Sequence, residues 1–460
     1  MTQPIGALQP LGDFQPADVW QTHVNAIFYG LKGPQIHQHF QTYVSRDHRL
    51  AHALADGFLE GADRLPAEGP LHVLEWGIGN GNLAACFLSR LQTQDQAGRI
   101  YPRVRYLLGD YSRQILNGAR HHPRLGEHSS RTSFFQFDAE RSHPFKRGAI
   151  HKILSNEIWD DLATKVVLKH QGLFYEEYLQ PALAPADSGD SPEPLARAFQ
   201  DQDLDALAQH PELLEKIRWE RSFQRVDLQG WPYAHVLQNH FDQIQDEIPT
   251  PVNLGAFKTL ERARAHLADS HLGYTGFDYG MLDLAALNQE GRPYFRLYGG
   301  QYTNMVNFPL LEAVGQDLGF SAIQREPQHQ FVAHHLGDAV LSAVDLVQAH
   351  PKITRLAPWD VDLLMIKTLH ALNEGYRSPY RQTLDYPPVP GAPKKHRKEL
   401  AQRVKNLSPT GVPDTVAYLT RQEVRSAFRP LLKLGYREKD LESCWQTPPP
   451  AVAFAHITFA

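Results

Sequence analysis

The stretch over residues 71–91, LHVLEWGIGNGNLAACFLSRL, constrains the fold of this chain more than any other part of the sequence. Its first six residues are mostly apolar and include Glu75, which predicts a buried strand, and NLAACFLSRL predicts a helix. Between the two lie the alternating glycines Gly77, Gly79 and Gly81, which let the backbone turn sharply and approach a ligand closely. The free N–H groups at the start of the helix then face that ligand.

Strand and helix patterns keep alternating beyond this turn. VRYLLGDYS, TSFFQFDAE and AIHKILSNEIW match strands, and RQILNGAR matches a helix. Such alternation is typical of a parallel sheet that is covered by helices on both faces. We therefore predict an α/β fold with a Rossmann-like, doubly covered sheet.

Three of the predicted strands carry an acid near their carboxyl ends. Glu75, Asp110 and Asp138 are therefore expected along the edge at which open α/β sheets bind ligands. The turn reads G-x-G-x-G rather than the G-x-G-x-x-G of dinucleotide sites, and a carboxylate there would repel a pyrophosphate. The same carboxylate suits S-adenosylmethionine, which carries an ammonium and a sulfonium group.

We thus predict S-adenosylmethionine as the cofactor, with the three glycines of the turn allowing its close approach. Glu75 is expected to meet its amino-acid or ribose portion, Asp110 its ribose hydroxyls and Asp138 its adenine amino group. The alternative is an ordinary strand-to-helix turn whose acids face solvent.

The fourth predicted strand ends in ILSNEIWDD, at the edge that would face the methyl group of the cofactor. Asn156, Glu157 and Asp160 are predicted here as catalytic residues. Glu157 could pair bidentately with a guanidinium or bind an amine, while Asn156 orients the attacking nitrogen. The alternative is that these side chains cap the following turn through backbone N–H groups.

At this motif the chain resembles the MidA-like family of class I methyltransferases, which includes a mitochondrial complex I assembly factor that methylates a protein arginine. Family members carry a glutamate-led glycine turn, an A-N-E-F-F-D-A-L-P-like motif, a D-Y-G strand end beyond a helical insertion, and a Gln and Phe pair. The matching residues are, in that order, Glu75 to Gly81; Ser155, Asn156, Glu157, Ile158, Trp159, Asp160 and Leu162; Asp278, Tyr279 and Gly280; and Gln328 and Phe331. An F-x-T stretch of the family matches Phe40 and Thr42.

The resemblance implies a class I methyltransferase sheet, S-adenosylmethionine as cofactor and N-methylation of a protein substrate, an arginine in the family. It also implies Asp278 and Tyr279 as substrate-side residues at the end of the D-Y-G strand. The family proline after the N-E motif is replaced by Ala163 here.

Composition and pattern divide the chain into five predicted segments. An N-terminal arm with helices spans 1–66, and the first part of the methyltransferase core spans 67–178. A helical insertion that covers the substrate follows over 179–268, the second part of the core over 269–345, and a C-terminal extension over 346–460.

The overall composition limits the classes of binding partner that we expect for this protein. A net charge of −5 over 460 residues gives no reason to expect nucleic acid as a partner, and no apolar run is long enough to predict a membrane span. The two cysteines and the lack of a signal-peptide pattern predict a cytoplasmic protein. The 24 histidines form no zinc motif, so no metal site is predicted.

The sequence therefore predicts a methyltransferase that acts on a protein. Two alternatives stay open: a methyltransferase for a small molecule, and a non-catalytic assembly or scaffold protein that keeps the fold. A dinucleotide-dependent oxidoreductase is disfavoured by the glycine spacing.

Overall fold

The structure is a computed structural model. It describes residues 8–33, 47–141, 144–184, 192–373, 391–407, 417–445 and 451–460, and within 374–390 it describes 375, 376, 378–381, 384, 386, 388 and 389. Phe40 and Thr42, which match the F-x-T stretch of the family, lie outside the described residues.

The strands of the described chain are, in order, β1 (Gln9–Pro10), β2 (Gln15–Pro16), β3 (Leu71–Trp76), β4 (Val104–Asp110), β5 (Thr132–Gln136), β6 (Lys152–Asn156), β7 (Lys165–His170), β8 (Leu173–Leu183), β9 (Arg218–Val226), β10 (Thr250–Val252), β11 (Tyr274–Met281), β12 (Phe295–Tyr298), β13 (Gln301–Asn304), β14 (Val306–Asn307), β15 (Ile323–Pro327), β16 (Val340–Ser342), β17 (Tyr418–Thr420) and β18 (Ala453–Phe459).

The α-helices of the described chain are α1 (Ala17–Lys32), α2 (Arg49–Glu60), α3 (Asn82–Gln94), α4 (Arg113–Arg120), α5 (Pro123–Glu127), α6 (Pro192–Gln200), α7 (Leu204–Leu207), α8 (Leu213–Lys216), α9 (Ala234–Phe241), α10 (Leu254–His266), α11 (Leu284–Leu287), α12 (Phe308–Asp317), α13 (Gln328–Leu336), α14 (Ala343–Gln348), α15 (Pro358–Leu372), α16 (Lys394–Lys405), α17 (Arg421–Ser426), α18 (Phe428–Lys433) and α19 (Glu438–Ser443). Short 3-10 helices cover Ala62–Arg64, Tyr101–Arg103, Leu228–Gly230 and Ile353–Arg355.

The main sheet has the strand order β15–β18–β11–β6–β3–β4–β5, and β14 adds a short pairing to β11. Neighbouring strands from β11 to β5 run parallel, whereas β18 is antiparallel to both β11 and β15. The chain runs from β3 outward to β5 and then crosses back to β6, so the order reverses between β3 and β6. The predicted α/β fold with a Rossmann-like sheet is confirmed, and such a reversal point is where ligands bind.

Apolar side chains explain why the central strands form. Strand β3 buries Leu71, Val73, Leu74 and Trp76 with no exposed surface, and every residue of β11 is buried. Helix α3 packs a face of apolar residues against the sheet. Strands that are covered on both faces are typical of parallel α/β sheets.

The structure also contains a second, antiparallel sheet, and two of its strands, β9 and β10, lie wholly within the predicted helical insertion. Its order is β1–β8–β7–β10, and β2 and β9 also pair with β8. The prediction of a helical insertion over 179–268 is therefore wrong for Arg218–Val226, which forms β9 and pairs with nine residues of β8. Pairing along a long neighbouring strand outweighs the local helix preference of a charged segment. Helices α6 to α10 do occupy much of the rest of 179–268.

The predicted C-terminal extension over 346–460 is also wrong in one respect. Strand β18 is part of the main sheet and lies between β11 and β15. Helices α14 to α19 therefore form a helical unit that is inserted between β15 and β18 and has its own apolar core. Strands β16 and β17 pair with each other across this insertion.

None of the helices in the described part of the chain is both long and apolar enough to span a membrane.

Candidate functional site

A cavity of about 700 Å³ lies at the carboxyl ends of the central strands β3, β4, β6 and β11. Its floor is the glycine turn after β3, and one wall is the loop over residues 157–164 between β6 and β7, here called the acid loop. Residues of helix α1 and of the hairpin of β12 and β13 also line the cavity, next to the acid loop. The volume is within the range of cofactor and ligand pockets.

The glycine turn has the conformation that the sequence predicted. Gly77, Gly79 and Gly81 have φ angles of 69°, 51° and 80°, which other residues rarely adopt. Gly77 and Gly79 line the cavity, and a Cβ on Gly77 would lie 2.5 Å from Ile158 Cγ2. Gly81 does not line it: this residue precedes α3, and a Cβ there would lie 2.6 Å from Leu125 Cδ1. Gly81 therefore shapes the turn without touching the ligand space.

Glu75 and Asp110 are buried carboxyl groups at the cavity wall. The hydroxyl of Tyr106 donates to Glu75 Oε2 at 2.7 Å, and burial raises the pKa of Glu75 to about 8. Burial likewise raises the pKa of Asp110 to about 7, against the opposing effect of hydrogen bonds from the N–H groups of Ser112, at 2.8 Å, and Ile78. Both groups favour a cation beside them.

Asp138 lies two residues beyond the end of β5 and is more exposed. Its Oδ1 accepts from the N–H of Glu140 at 2.9 Å, and its Oδ2 lies 3.2 Å from Nε of Arg141. The side chain lines the cavity together with Glu75 and Asp110. The three acids that the sequence predicted at the strand ends thus meet at one cavity.

Asn156 and Glu157 stand where β6 ends. Glu157 has a positive φ of 51°, and its N–H donates to the carbonyl of Phe277 at 2.7 Å. Asn156 Nδ2 donates to Glu157 Oε1 at 3.2 Å, while the buried Asn156 Oδ1 has no hydrogen-bond partner among the described residues. Burial, followed by the charge of Asp160, raises the pKa of Glu157 to about 8.

Asp160 completes the group of residues predicted as catalytic. The hydroxyl of Tyr279 donates to Asp160 Oδ2 at 2.7 Å and lies 2.8 Å from Thr303 Oγ1. Within the described ranges of the chain, the buried Asp160 Oδ1 has no hydrogen-bond partner, and burial raises the pKa of Asp160 to about 6. Tyr279, predicted as a substrate-side residue, does line the cavity.

Asp278, the other residue predicted on the substrate side, is not part of the cavity wall. It is fully buried, and its carboxyl accepts from the N–H groups of Trp159 (2.8 Å), Asp160 (3.2 Å) and Tyr279 (2.8 Å). Asp278 therefore holds the acid loop from behind, which corrects the expectation that it meets the substrate.

Sequence reasoning missed Asp161 and the residues that hold it. Asp161 Oδ1 accepts from Gln301 Nε2 at 2.6 Å and from Asn25 Nδ2 at 3.4 Å, and Oδ2 accepts from the hydroxyl of Tyr29. All four residues line the cavity. Hydrogen-bonded residues that lie more than 130 positions apart leave no spacing pattern in the sequence. The sequence feature that could have indicated them is a pair of amide side chains, Gln21 and Asn25, which lie four residues apart on a mostly apolar helix face.

The cavity is strongly acidic. Among the described residues that line it, none is Lys, Arg or His, and the acids are Glu75, Asp110, Asp138, Glu140, Glu157, Asp160 and Asp161. Carboxyl groups at this density attract a cation and repel phosphate. No group of three or more His, Cys, Asp or Glu within the described ranges is arranged to hold a metal ion.

Comparisons with known proteins gave solved structures of similar fold. A COG1565 superfamily member from Burkholderia thailandensis, bound to S-adenosyl-homocysteine, is 12% identical, with a TM-score of 0.48 over 97% of this chain and 88% of that one. A second COG1565 superfamily protein from the same organism is 16% identical, with a TM-score of 0.42 over 89% of this chain and 88% of that one. A phosphoethanolamine N-methyltransferase 2 from Haemonchus contortus, in complex with S-adenosyl-L-methionine, is 11% identical, with a TM-score of 0.29 over 68% of this chain and 44% of that one.

No protein-family model matches the chain, and no curated protein matches it. The similarity to these three structures is one of fold at low sequence identity.

Proposed function

We propose that this protein is an S-adenosylmethionine-dependent methyltransferase whose acceptor is a nitrogen of a cationic or amine-bearing substrate. The observation that carries the proposal is the acidic cavity itself: seven carboxyl groups, with no basic side chain among the described lining residues, at the reversal point of a class I sheet. A cofactor and an acceptor that are both positively charged match this cavity, whereas a dinucleotide does not.

The residues present fit the cofactor. Gly77 and Gly79 line the cavity with backbone at positive φ and carry no side chain that would keep a ligand from the turn, and the buried carboxyls of Glu75 and Asp110 can accept hydrogen bonds from the ammonium and the ribose hydroxyls. Asp138 is close enough to the same space to accept from the adenine amino group. When bound, S-adenosylmethionine supplies a methyl group on a sulfonium sulfur.

The acid loop acts on the acceptor. Asn156 Oδ1 and Asp160 Oδ1 are buried acceptor atoms without partners among the residues that the structure describes, so they favour a group that donates N–H bonds. Glu157 joins them at the same wall and would pair with a guanidinium or ammonium. The bound cofactor would supply the methyl group to the acceptor nitrogen, and Glu157 or Asp160 would receive the proton that this nitrogen loses.

Two carboxyl groups beside an amide oxygen suit a planar guanidinium better than a single point charge. Together with the resemblance to the MidA-like family, this supports an arginine side chain of a protein as the acceptor. Coverage of the cavity by α1 and the β12–β13 hairpin favours the alternative, a small cationic metabolite.

The first experiment is calorimetric titration with S-adenosylmethionine and with NADH. Wild-type protein should bind S-adenosylmethionine, Gly79→Arg should lose this binding because the new side chain fills the cavity, and NADH should not bind. Gly98→Arg is the matched control, since Gly98 also has a positive φ but lies exposed in a loop. Binding of NADH instead would overturn the proposal. Binding of neither would favour a scaffold protein that only keeps the fold.

The acceptor is tested with labelled S-adenosylmethionine and three probes: Nα-acetyl-arginine-N-methylamide, the lysine equivalent, and an arginine-containing peptide. Label in the peptide but not in the lysine probe supports a protein arginine. Label in neither, with transfer to a small polyamine such as agmatine, supports the metabolite alternative.

A further inference from the structure

Helix α1 carries a polar stripe on its cavity side. Gln21, Asn25 and Tyr29 lie at i, i+4 and i+8 and therefore share one face of the helix. Gln21 is fully buried and Asn25 is 5% exposed. Amide side chains are rarely buried unless their polar atoms find hydrogen-bond partners. The partners of Gln21 and Asn25 therefore indicate the role of these residues.

Gln21 spans the acid loop. Its Nε2 donates to the carbonyl of Asp160 at 2.8 Å, and its Oε1 accepts from the N–H of Thr164 at 2.9 Å. One side chain thus fixes two backbone groups that lie four residues apart, on either side of Asp161. The carbonyl of Asp160 also accepts from the N–H of Asn304 in the hairpin, at 2.9 Å.

Asn25 pairs with the hairpin in the way that a neighbouring strand would. Its Oδ1 accepts from the N–H of Tyr302 and its Nδ2 donates to the carbonyl of the same residue, both at 2.9 Å. The same amide nitrogen reaches Asp161 Oδ1. Helix α1, the hairpin and the acid loop are therefore joined in one closed ring of hydrogen bonds.

Other contacts also hold helix α1 in place. Trp20, Val24 and Phe28 lie in an apolar cluster with α6 to α8 and β8, and His23 bonds to the carbonyl of Phe199 at 2.7 Å. The side-chain hydrogen bonds that Gln21 and Asn25 make within the described part of the chain go to the acid loop and the hairpin instead.

We infer that Gln21 and Asn25 are positioning residues for methyl transfer: they fix the acid loop against the hairpin so that Glu157 and the free Oδ1 of Asp160 face the acceptor nitrogen. This inference rests on the proposed function. It assigns to α1 a role on the acceptor side of the cavity, whereas the cofactor side is built by the glycine turn and the strand ends.

The test measures effects on the cofactor side and on the acceptor side of the cavity separately. Asn25→Ala, Gln21→Ala and the control Val19→Ala, whose side chain is 47% exposed on the same helix, are compared with wild type. Affinity for S-adenosyl-homocysteine is measured by calorimetry, and the rate of label transfer to Nα-acetyl-arginine-N-methylamide is measured at saturating S-adenosylmethionine. Hydrogen exchange is followed by mass spectrometry in peptides that cover the acid loop, the hairpin and the glycine turn.

We expect both alanine variants to bind S-adenosyl-homocysteine as wild type does, to transfer label at least about tenfold more slowly, and to exchange faster only in the acid loop and hairpin. Val19→Ala should match wild type throughout. Equal loss of cofactor affinity and rate, or an unchanged rate, would overturn the inference.

Two further outcomes are also decisive. Wild-type protein that binds no S-adenosyl-homocysteine would overturn the proposed function and this inference with it. If wild-type protein binds S-adenosyl-homocysteine but does not label the probe, the hydrogen-exchange measurement decides. Unchanged exchange in Asn25→Ala would then overturn the inference, and faster exchange confined to the acid loop and the hairpin would support it.

Discussion

At the scale of single residues, Glu157 combines a strained backbone with an unusual carboxyl group. A φ of 51° is uncommon for glutamate, and strain of this kind costs about 1–3 kcal/mol and gathers at functional sites. The hydrogen bond from its N–H to Phe277 holds the strained geometry and directs the side chain into the cavity. A glycine at this position would relieve the strain but would remove the carboxyl group from the cavity wall.

Glu157→Gln should therefore lower the rate of methyl transfer by about 100-fold or more, because the neutral amide can neither pair with a cation nor take up its proton. Affinity for S-adenosyl-homocysteine should stay unchanged. Glu247→Gln is the matched control, since Glu247 also has a positive φ but lies exposed and away from the cavity. Label-transfer rates and calorimetry check this prediction, and a Glu157→Gln rate equal to that of wild type would contradict it.

The buried Glu75 predicts a pH dependence of stability. Burial raises its pKa to about 8 in the folded protein, whereas an unfolded glutamate titrates near 4.3. Between about pH 4 and pH 8 the folded state therefore holds a proton that the unfolded state has released, so the contribution of Glu75 to stability is fully present below about pH 4 and is lost as the pH rises toward 8. Denaturant unfolding of the ligand-free protein at pH 5, 6, 7 and 8 should show this fall, and it should be shallower in Glu75→Gln. Parallel curves for the two proteins would refute it.

The sequence alone allows prediction of the site residues that directly follow strands. It does not allow prediction of the site residues that come from distant parts of the chain. Glu75, Asp110 and Asp138 could be placed because parallel strands bring their carboxyl ends to one edge. Tyr29 reaches Asp161 across 132 positions of sequence, and no spacing rule connects the two. The prediction gave the correct strand end for Asp278 but the wrong orientation of its side chain. In the structure this side chain points toward backbone N–H groups instead of toward the substrate.

At the scale of elements, β18 decides the organisation of the main sheet. It is antiparallel to both neighbours, pairs with seven residues of β11 and five of β15, and buries Ala455, Ile457 and Phe459 completely. Its sequence, AFAHITF, is recognisable as a strand from its β-branched and aromatic residues. Its place in the sheet was not predictable, because about 125 residues separate it from β15 and nothing local specifies its partners.

Ile457→Ala should accordingly lower the free energy of unfolding by about 2–4 kcal/mol, because it leaves a void in the apolar core that packs against the sheet. Leu432→Ala, at a position that is 39% exposed, is the control and should change it by less than about 0.5 kcal/mol. Urea denaturation monitored by circular dichroism measures both. Similar midpoints for the two variants would show that β18 contributes little to the sheet.

At the scale of the whole molecule, a buried polar interface joins the helical unit to the core near the glycine turn. Arg49 in α2 binds Glu423 in α17, with Nη2 2.5 Å from Oε1, and donates to the carbonyl of Tyr418 at 2.8 Å. The hydroxyl of Tyr376 donates to Asp47 Oδ1 at 2.8 Å. The carbonyl of Asp47 in turn accepts from Asn82, the first residue of α3, at 3.0 Å. The helical unit is thereby linked to the helix that begins at the glycine turn.

Glu423→Gln should destabilise the protein by about 3 kcal/mol, because it leaves the buried guanidinium of Arg49 without its counter-charge. Glu442→Gln breaks an exposed pair with Arg425 and should cost less than about 1 kcal/mol. The free energies of unfolding from chemical denaturation test the difference. Equal losses in the two variants would mean that burial adds nothing to the Arg49 pair.

The position of β18 in the sequence also sets the order in which a nascent chain can assemble. Strands β11 and β15 leave the ribosome well over a hundred residues before β18 does, so both stand with an open hydrogen-bonding edge during the synthesis of the helical unit. Open edges of this kind pair readily with other chains. The interval between translating β15 and translating β18 is therefore when the protein is most exposed to aggregation, and when a chaperone that covers strand edges would have the largest effect on its yield.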